Sequence, residues 1–403
     1  MELFLLTLSA LLRPILNIEI LEDAGDIAAI GMFVLLCLAV LSNAAVRKEF
    51  RLATTDLLIL AFCAWCLAVY VIYFDYAHVK ELAKIIFPLL TYTVAKNVIK
   101  DKSQYLGVLR ALIAGFAIPI VISAVMIALG KGLGSVNYWT SAPRYQGIFA
   151  GGHSLAHNTT LFLMTLIAFA TVMRAQPQGN GKTTELRAAA KIILFSLAGF
   201  SFYCLVMSRV RTAMVGLLVF LVIYLAVFNK RILVLSGVVG IIGIPLYWPM
   251  IKNFLFPDIV MIEMGHGDIS ALGSGRLGFW VKNLEIFGSL QLDQQLAGIG
   301  IGAQKVRSVL GIWDSHNDYL DVLLQTGIVG FALFAALQVA LLRSILRIPG
   351  SERYVYLALF TAVTAMNMVS NSYVSRFGLA QLYYIVLAYV EIRRRKEPTE
   401  STS

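Results

Sequence analysis

Apolar runs, each long enough to cross a lipid bilayer, recur along almost the whole of this chain. About 20 apolar residues in a helix span the ~30 Å hydrocarbon core of a membrane. Hydrophobic residues make up 59% of the 403 residues, charged residues make up 14%, and the mean hydropathy is +0.79. A soluble domain of this length needs a more polar surface. The sequence therefore predicts an all-α polytopic membrane protein.

We predict about twelve membrane-spanning helices within a single membrane domain, residues 1–403. The first run, residues 1–20, lacks the basic start of a signal peptide and carries Arg13 inside its apolar stretch, so it is predicted to be a membrane helix. The other spans are predicted at residues 27–46, 57–74, 82–99, 106–129, 159–172, 192–207, 213–228, 232–251, 319–342, 354–370 and 377–392.

Basic residues fall in every second connection between these spans. They are Arg47, Lys48 and Arg51, then Lys96, Lys100 and Lys102, then Arg174, Lys182, Arg187 and Lys191, then Lys230 and Arg231, then Arg343, Arg347 and Arg353, and finally the tail 393–403. By the positive-inside rule these connections and both termini are cytoplasmic. The net charge of +10 is then a consequence of topology and does not indicate a nucleic-acid partner.

The longest connection on the opposite, outer side is residues 252–318, between the ninth and tenth helices. Connections in compact domains are usually short, so its length is itself a hint of function. Within it, the sequence from Gly273 to Trp280 predicts the start of an amphipathic helix. Arg276 and Trp280 are four residues apart and would share one face of that helix.

His316 lies at the end of the same outer segment. Ser315 is followed three residues later by Asp318, just before an apolar run, which resembles a capping box and predicts His316 in the first turn of the tenth helix. The helix dipole there favours a neutral imidazole, which can accept a proton from a hydroxyl group. The alternative is an interfacial histidine with local hydrogen bonds only.

Arginines also lie in the predicted outer connections. Arg209 and Arg211 occupy the shortest outer turn, residues 208–212, and Arg144 precedes the sixth span. Binding to phospholipid headgroups would explain an isolated pair. Together with Arg276, however, these side chains are predicted to converge on one anionic substrate, because the guanidinium fork suits phosphate oxygens.

The remaining polar candidates favour structural interpretations. The spacing of Glu263, His266 and Asp268 matches no strong metal motif, so a solvated loop is the preferred interpretation. His153 and His157 are interpreted as substrate-loop or structural residues. The four cysteines, Cys37, Cys63, Cys66 and Cys204, all lie in apolar spans, and Cys63 and Cys66 are predicted to be two buried thiols without a redox or metal role.

Four sequence patches resemble the O-antigen ligase family and its superfamily, which includes O-antigen polymerases and certain protein O-oligosaccharyltransferases. The patches are Arg144 with Gly147, the Ser208-Arg209-Val210-Arg211-Thr212-Ala213 turn, Gly275-Arg276-Leu277 with Trp280, and His316-Asn317-Asp318-Tyr319-Leu320 leading into Leu324-Gln325-Thr326-Gly327. The family pattern has one arginine at the short turn where this chain has two, and Arg211 is the closer match.

The resemblance implies a glycosyltransferase-C-like fold in a bacterial inner membrane, with the active site facing the periplasm. It implies transfer of O-antigen from undecaprenyl diphosphate to the lipid A-core oligosaccharide, with no cofactor, no metal, and membrane lipids as surroundings. Under this resemblance, the catalytic residues are His316, Arg276 and Arg211, and the substrate-binding residues are Arg209, Arg144, Asn317 and Trp280.

Two other functions stay open at this point. An O-antigen polymerase, joining one lipid-linked repeat unit to another, would use the same arginines and histidine. The chain length, the number of spans and the position of the long loop favour the ligase. A lipid-linked glycan transporter would also need many helices, but such proteins usually carry broken or ionisable helices in paired halves, and no such pairing is visible.

Overall fold

The structure is a computed structural model of the 403-residue chain. It describes residues 1–47, 52–74, 78–136, 143–174, 188–265, 276–302, 315–371, 374 and 376–395. Several predicted features lie outside these ranges: Lys48, Arg51, Lys182, Arg187, His266, Asp268, residues 273–275 and most of the C-terminal tail.

The described residues form helices and one small hairpin. In chain order they are α1 (Glu2–Leu16), a 3-10 turn (Glu19–Leu21), α2 (Glu22–Arg47), α3 (Thr54–Ile72), α4 (Val79–Val98), α5 (Lys102–Ala128), β1 (Leu133–Val136), β2 (Pro143–Tyr145), α6 (Gly152–Arg174), α7 (Ala188–Ser208), α8 (Arg211–Phe228), α9 (Lys230–Leu246), α10 (Trp248–Leu255), α11 (Pro257–Glu263), α12 (Arg276–Ser289), α13 (Leu292–Ala297), α14 (Asp318–Leu346), α15 (Glu352–Val369), α16 (Phe377–Leu387) and α17 (Tyr389–Arg395).

Each predicted span coincides with a helix or with two successive helices. Among the described residues, seven helices are long and apolar enough to cross a membrane, and α9 with α10 makes an eighth if that bent pair counts as one span. Helices α1 and α16 are shorter than that test requires, whereas α4 and α15 are less apolar. The chain is thus an all-α, multi-pass membrane protein, and the number of twelve crossings stays a prediction.

The apolar residues divide between a buried core and surfaces that fit a lipid solvent. Helix α9 has no buried residue and exposes large aliphatic side chains along its length, including Val239 and Ile241. In the interior, α8 packs closely along α15. A Cβ atom at Gly216 would lie 2.4 Å from the sulfur of Met366, so these two residues mark a close approach of α8 to α15. The predicted burial of Cys63 and Cys66 is confirmed; Cys204 is also buried, and Cys37 is half-buried.

The ninth span was predicted as one helix over residues 232–251, and the structure has two helices there. Helix α9 ends at Leu246, and the chain then turns by 85° into α10. Pro245 lies in the last turn of α9, and Pro249 lies in the first turn of α10. Proline lacks the backbone donor that would continue a helix across this point. The bend directs α10 away from the axis of α9.

The tenth helix is also interrupted. Within α14, Gly327 has φ 66° and ψ −172°, which is not helical. Residues 298–302 pack against this break: Ile299 N–H donates to the Leu324 carbonyl at 2.9 Å, and Gly302 N–H donates to the Gln325 side chain at 2.9 Å. Trp65 of α3 donates its indole N–H to the Thr326 carbonyl at 2.8 Å. The break therefore joins the outer segment to the bundle.

Replacing Gly327 with alanine is expected to destabilise the protein by about 3 kcal/mol or more. Its backbone conformation is one that side-chain-bearing residues avoid, and a Cβ atom there would lie 2.2 Å from the Leu296 carbonyl oxygen. The midpoint of thermal unfolding in detergent measures the effect. Gly237→Ala in α9 is the matched control, since no atom lies within 4 Å of its added Cβ. An equal midpoint for both variants would contradict the requirement for glycine.

A short antiparallel hairpin of β1 and β2 follows α5 and carries Arg144. The chain after it is fixed to the end of α1, because Glu19 N–H donates to the Ile148 carbonyl at 2.9 Å and Ile18 forms a bridge with Phe149. The sequence predicts only an outer loop here. The hairpin therefore holds Arg144 on ordered backbone close to the start of α6.

Candidate active site

The short turn between α7 and α8 holds two of the candidate arginines. Ser208 closes α7, and its hydroxyl donates to the Leu205 carbonyl at 2.6 Å and accepts from Val210 N–H at 3.3 Å. Arg209 has φ 53°, a left-handed conformation that few residues other than glycine adopt. Backbone strain of this kind persists where the surroundings enforce it and is common at functional sites.

The bend after α9 brings aromatic side chains to both arginines of this turn. The Cζ atom of Arg209 lies 4.4 Å from the ring centre of Phe254, and that of Arg211 lies 5.8 Å from the ring centre of Phe256. An aromatic face attracts a guanidinium group without using its N–H donors. The outer segment therefore contacts the short turn.

Arg144 lies beside this turn. A Cβ atom at Gly152 would lie 3.7 Å from the Arg144 Cβ and 3.5 Å from the Ser208 carbonyl oxygen. The pKa of Arg144 is lowered, first by burial and then by the positive charges of Arg211 and Arg209. Its Nε atom is buried and has no hydrogen-bond partner among the described residues. Three guanidinium groups thus repel one another here, and a bound anion would relieve that repulsion.

The first turn of α8 adds an uncharged donor to the same place. The hydroxyl of Thr212 is buried and has no hydrogen-bond partner within the described part of the chain. The backbone N–H groups at the start of a helix also lack partners within the helix and favour anions. Arg211 and Thr212 are the first two residues of α8. The charge of Arg211 and the N-terminus of the helix would therefore both attract an anion at this place.

Arg276 lies at the same end of the bundle as the short turn. It is the first residue of α12, and its Nη1 atom donates to the carbonyl of Val369, the last residue of α15. Because α15 packs along α8, as Gly216 and Met366 show, Val369 and Arg211 lie at the same end of that helix pair. We call this end of the bundle the outer end, after its predicted orientation.

His153 lies near several positive charges. The charges of Arg376, Arg144 and Arg276 act on its ring, which lies in the first turn of α6. Its ring centre is 6.1 Å from that of His157, and the Nδ1 atom of His157 lies 2.7 Å from the His153 carbonyl oxygen. We define the arginine cluster as Arg144, Arg209, Arg211, Arg276 and Arg376.

The segment that carries His316 is held rigidly beside α12. Trp280 Nε1–H donates to the Ser315 carbonyl at 2.6 Å, and the Ser315 hydroxyl donates to Asp321 Oδ1 at 2.6 Å. His316 itself has φ 47°. His316 and Arg209 are the two non-glycine residues with positive φ in the described part of the chain. Trp280 is one helical turn from Arg276, so α12 links the cluster to the histidine segment.

The predicted capping box is wrong. The N-cap of α14 is Asn317, whose side-chain oxygen accepts from Tyr319 N–H at 3.0 Å and Leu320 N–H at 3.1 Å. Ser315 instead bonds to Asp321 and cannot serve as the cap. His316 consequently precedes the helix and does not lie in its first turn. Serine and asparagine are both good N-caps, and the sequence alone did not distinguish them.

Replacing Trp280 with phenylalanine is expected to reduce turnover roughly tenfold, since one hydrogen bond of about 1 kcal/mol that positions the His316 segment is lost. We expect kcat to fall while the KM for the donor stays near its wild-type value. The matched control is Trp65→Phe, which loses an indole bond to the Thr326 carbonyl. Equal activity losses in both variants would indicate a structural role only.

Sequence reasoning missed three residues at the outer end. His153 was interpreted as a loop or structural residue, although its spacing from His157 was noted. Arg376 ends an outer connection directly before an apolar helix, which is the same signal that singled out Arg211. Thr212 lies within the quoted turn, but nothing in the sequence indicates that its hydroxyl would be buried without a partner.

Among the described residues, no group of three or more His, Cys, Asp or Glu side chains is arranged to hold a metal ion. The sequence analysis considered Glu263, His266 and Asp268 as metal ligands. Glu263 forms an ion pair with Lys252, and His266 and Asp268 lie outside the described ranges. Metal independence stays a prediction of the resemblance.

Comparison with known proteins supports the resemblance over the part of the chain that contains most of this site. Residues 196–335 match the model of a protein family described as O-antigen ligase, which covers 140 of the 403 residues. The match includes Arg209, Arg211, Arg276, Trp280, His316 and Asn317, and it excludes Arg144. No curated protein matches the chain.

Proposed function

We propose that the protein, whose residues 196–335 match the family model described as O-antigen ligase, transfers O-antigen from undecaprenyl diphosphate to the lipid A-core oligosaccharide. The family supports a ligase or polymerase acting on lipid-linked glycans in general. The observation that carries the finer proposal is the mutual proximity of Arg144, Arg209 and Arg211 around Gly152; burial first, and then the charges of Arg211 and Arg209, lower the pKa of Arg144. A polyprenyl diphosphate supplies the negative charge that such a group of guanidiniums favours.

The donor arrives already activated, because no nucleotide sugar is available outside the inner membrane. When the bond between the anomeric carbon and the diphosphate oxygen breaks, negative charge develops on the diphosphate. Arginines held in place before the reaction stabilise that charge by several kcal/mol. Arg211, at the start of α8, and Arg276, at the start of α12, are proposed to contact it.

His316 is proposed to take the proton from the acceptor sugar hydroxyl. The oxygen of that hydroxyl then attacks the anomeric carbon, a new carbon–oxygen bond forms, and undecaprenyl diphosphate leaves with the bonding electron pair. One displacement of this kind inverts the anomeric configuration. The fixed backbone of residues 315–317 supports this role, since a general base must stay within hydrogen-bond reach of its proton.

The position of the active site also follows as a proposal. The arginine cluster lies at the outer end of the bundle, which the pattern of basic residues predicts to face the periplasm. Apolar helices such as α9, with exposed aliphatic side chains, border the outer segment and are proposed to accommodate the polyprenyl tail. Both termini are then cytoplasmic, in a bacterial inner membrane.

The glycan that accumulates in cells lacking this protein distinguishes the proposed function from its two alternatives. Loss of a ligase should leave full-length polymer on undecaprenyl diphosphate at the outer face, with an unmodified lipid A-core. Loss of a polymerase should instead leave single repeat units joined to the core. Loss of a transporter should leave the lipid-linked glycan on the cytoplasmic face, where an added periplasmic glycosidase cannot reach it. Either of the last two outcomes would contradict the ligase.

A further inference from the structure

A second polar cleft lies at the outer end, beside the arginine cluster but formed mainly by other helices. It has a cavity volume of ≈ 120 Å³. Its lining comes from the ends of α1, α4, α6 and α16 and the start of α2, and includes Arg13, Asn17, Asp26, Lys80, Lys84 and Asn158. The family match at residues 196–335 covers none of these residues.

The charge of this cleft is predominantly positive. Arg13, Lys80, Lys84 and Arg376 line it, whereas Asp26 is the one carboxylate among the described side chains of that lining. Asp26 is already shared, because it accepts from Arg13 Nη2 at 2.8 Å and lies 3.7 Å from the Lys80 ammonium. Lys84 pairs with Glu81 at 3.1 Å, outside the lining. The cationic charge therefore exceeds the anionic charge in the cleft.

One buried donor in the cleft is unsatisfied. Arg13 has 1% of its side chain exposed, and its Nε atom has no hydrogen-bond partner among the described residues. Its two terminal nitrogens are used by Asp26 and by the Gly25 carbonyl, at 2.8 Å and 3.2 Å. Leaving a buried donor unpaired costs about 1–3 kcal/mol, so a ligand or water is expected to pair with it.

Uncharged polar groups lie next to these cations. The Nδ2 atom of Asn17 is 3.4 Å from the Oδ1 atom of Asn158, and Ser154 lies one turn before Asn158 on α6. Amides and hydroxyls both donate and accept hydrogen bonds, which suits sugar hydroxyl groups. The combination of excess cationic charge with amide and hydroxyl groups fits a sugar that carries phosphate.

The first two turns of α6 separate this cleft from the arginine cluster. His153 and His157 form one stripe of that helix, and Ser154 and Asn158 form the neighbouring stripe. Arg376 belongs to both places, since it lines the cleft and its charge reaches His153. A single displacement needs donor and acceptor held at neighbouring places, and the cleft and the arginine cluster are neighbours through α6 and Arg376.

We propose that this cleft binds the phosphorylated sugar headgroup of the acceptor substrate, while the arginine cluster binds the donor diphosphate. The inference rests on the proposed function and adds the location and chemistry of acceptor recognition. Asp26 is what distinguishes the two sites, because a carboxylate in the lining disfavours the concentrated charge of a diphosphate more than a single phosphate on a sugar.

The test uses Lys84→Gln and Lys80→Gln in the full-length protein, both at partly exposed positions where misfolding is not expected. Initial transfer rates are measured against lipid A-core and against the same acceptor after its phosphates are removed. We expect the KM for the phosphorylated acceptor to rise roughly tenfold in each variant. The KM for the dephosphorylated acceptor and the KM for the donor should not change.

Lys131→Gln, an exposed lysine in the outer connection after α5, is the matched control and should behave as wild type. An unchanged acceptor KM in both cleft variants would overturn the proposal, as would a raised donor KM with an unchanged acceptor KM. Direct binding of lipid A-core to the detergent-purified protein separates this inference from the proposed function. If the wild type transfers nothing, a Kd weakened tenfold by Lys84→Gln still supports the cleft, and an unchanged Kd overturns it.

Discussion

Replacing His316 with alanine is expected to lower the rate of glycan transfer by roughly 10²–10⁴-fold, the contribution typical of a positioned general base. The residue lies between the Ser315 carbonyl, which Trp280 binds, and Asn317, which caps α14. Its φ of 47° fixes the backbone in a conformation that alanine adopts only at a cost. The initial rate with undecaprenyl diphosphate-linked O-antigen and lipid A-core measures the effect, and the donor KM should change little.

Two further variants separate chemistry from strain in this experiment. His316→Gly relieves the left-handed backbone and should be as inactive as His316→Ala, because neither has a base. His78→Gln changes an outer-side histidine that packs beside Gly302 and should retain activity. Full activity of His316→Ala would remove the general base from the mechanism.

Replacing Arg211 with alanine is expected to reduce kcat by roughly 10²–10³-fold, as the loss of one preorganised donor to a developing anion usually does. Arg211 is the first residue of α8, and of the two charged residues in the short turn it acts more strongly on Arg144. Arg211→Lys should recover part of the rate, since lysine keeps the charge but lacks the planar fork.

Arg209→Ala is the matched comparison, because both arginines lie in the same turn and contact neighbouring aromatic rings. It is expected to cost about tenfold or less, mainly in donor KM, as a charge that attracts the substrate without contacting the leaving oxygen would. Steady-state kinetics with varied donor concentration distinguish the two variants. A larger loss of kcat for Arg209→Ala than for Arg211→Ala would reverse this assignment.

Much of the helical architecture was predictable because membrane helices must satisfy their backbone hydrogen bonds internally. This condition produces the long apolar runs that α3, α5 and α8 display. Less apolar helices such as α4, which carries Lys80 and Lys84, were still recognisable from the alternation of basic connections. The interruptions within the membrane helices were not predictable in this way. Pro245 and Pro249 flank the 85° bend, but apolar composition continues across it.

The break at Gly327 illustrates the same limit in a second helix. Glycine occurs within many membrane helices without distorting them, and Gly237 in α9 is one example. What makes Gly327 different is the contact of residues 298–302 with the exposed backbone there, which involves positions about 25 residues away in the chain. Such long-range contacts leave no local signal in the sequence.

The arginines of the candidate site were predictable from the sequence. Arg144, Arg209 and Arg211 were identified because several arginines in outer connections, together with Arg276, could converge on one anionic substrate. Which groups face one another depends on the bend after α9, the hairpin of β1 and β2, and the packing of α15 along α8. None of these is local, and Arg13 with its cleft was therefore missed.

Reconstitution with defined substrates tests the proposed transfer most directly. The purified protein is incubated with undecaprenyl diphosphate-linked O-antigen and lipid A-core, in EDTA and without nucleotide, and the mass of the core lipid is followed. We predict that the core gains the whole O-antigen, with release of undecaprenyl diphosphate. A core of unchanged mass, with the donor either elongated or left intact, would contradict the account.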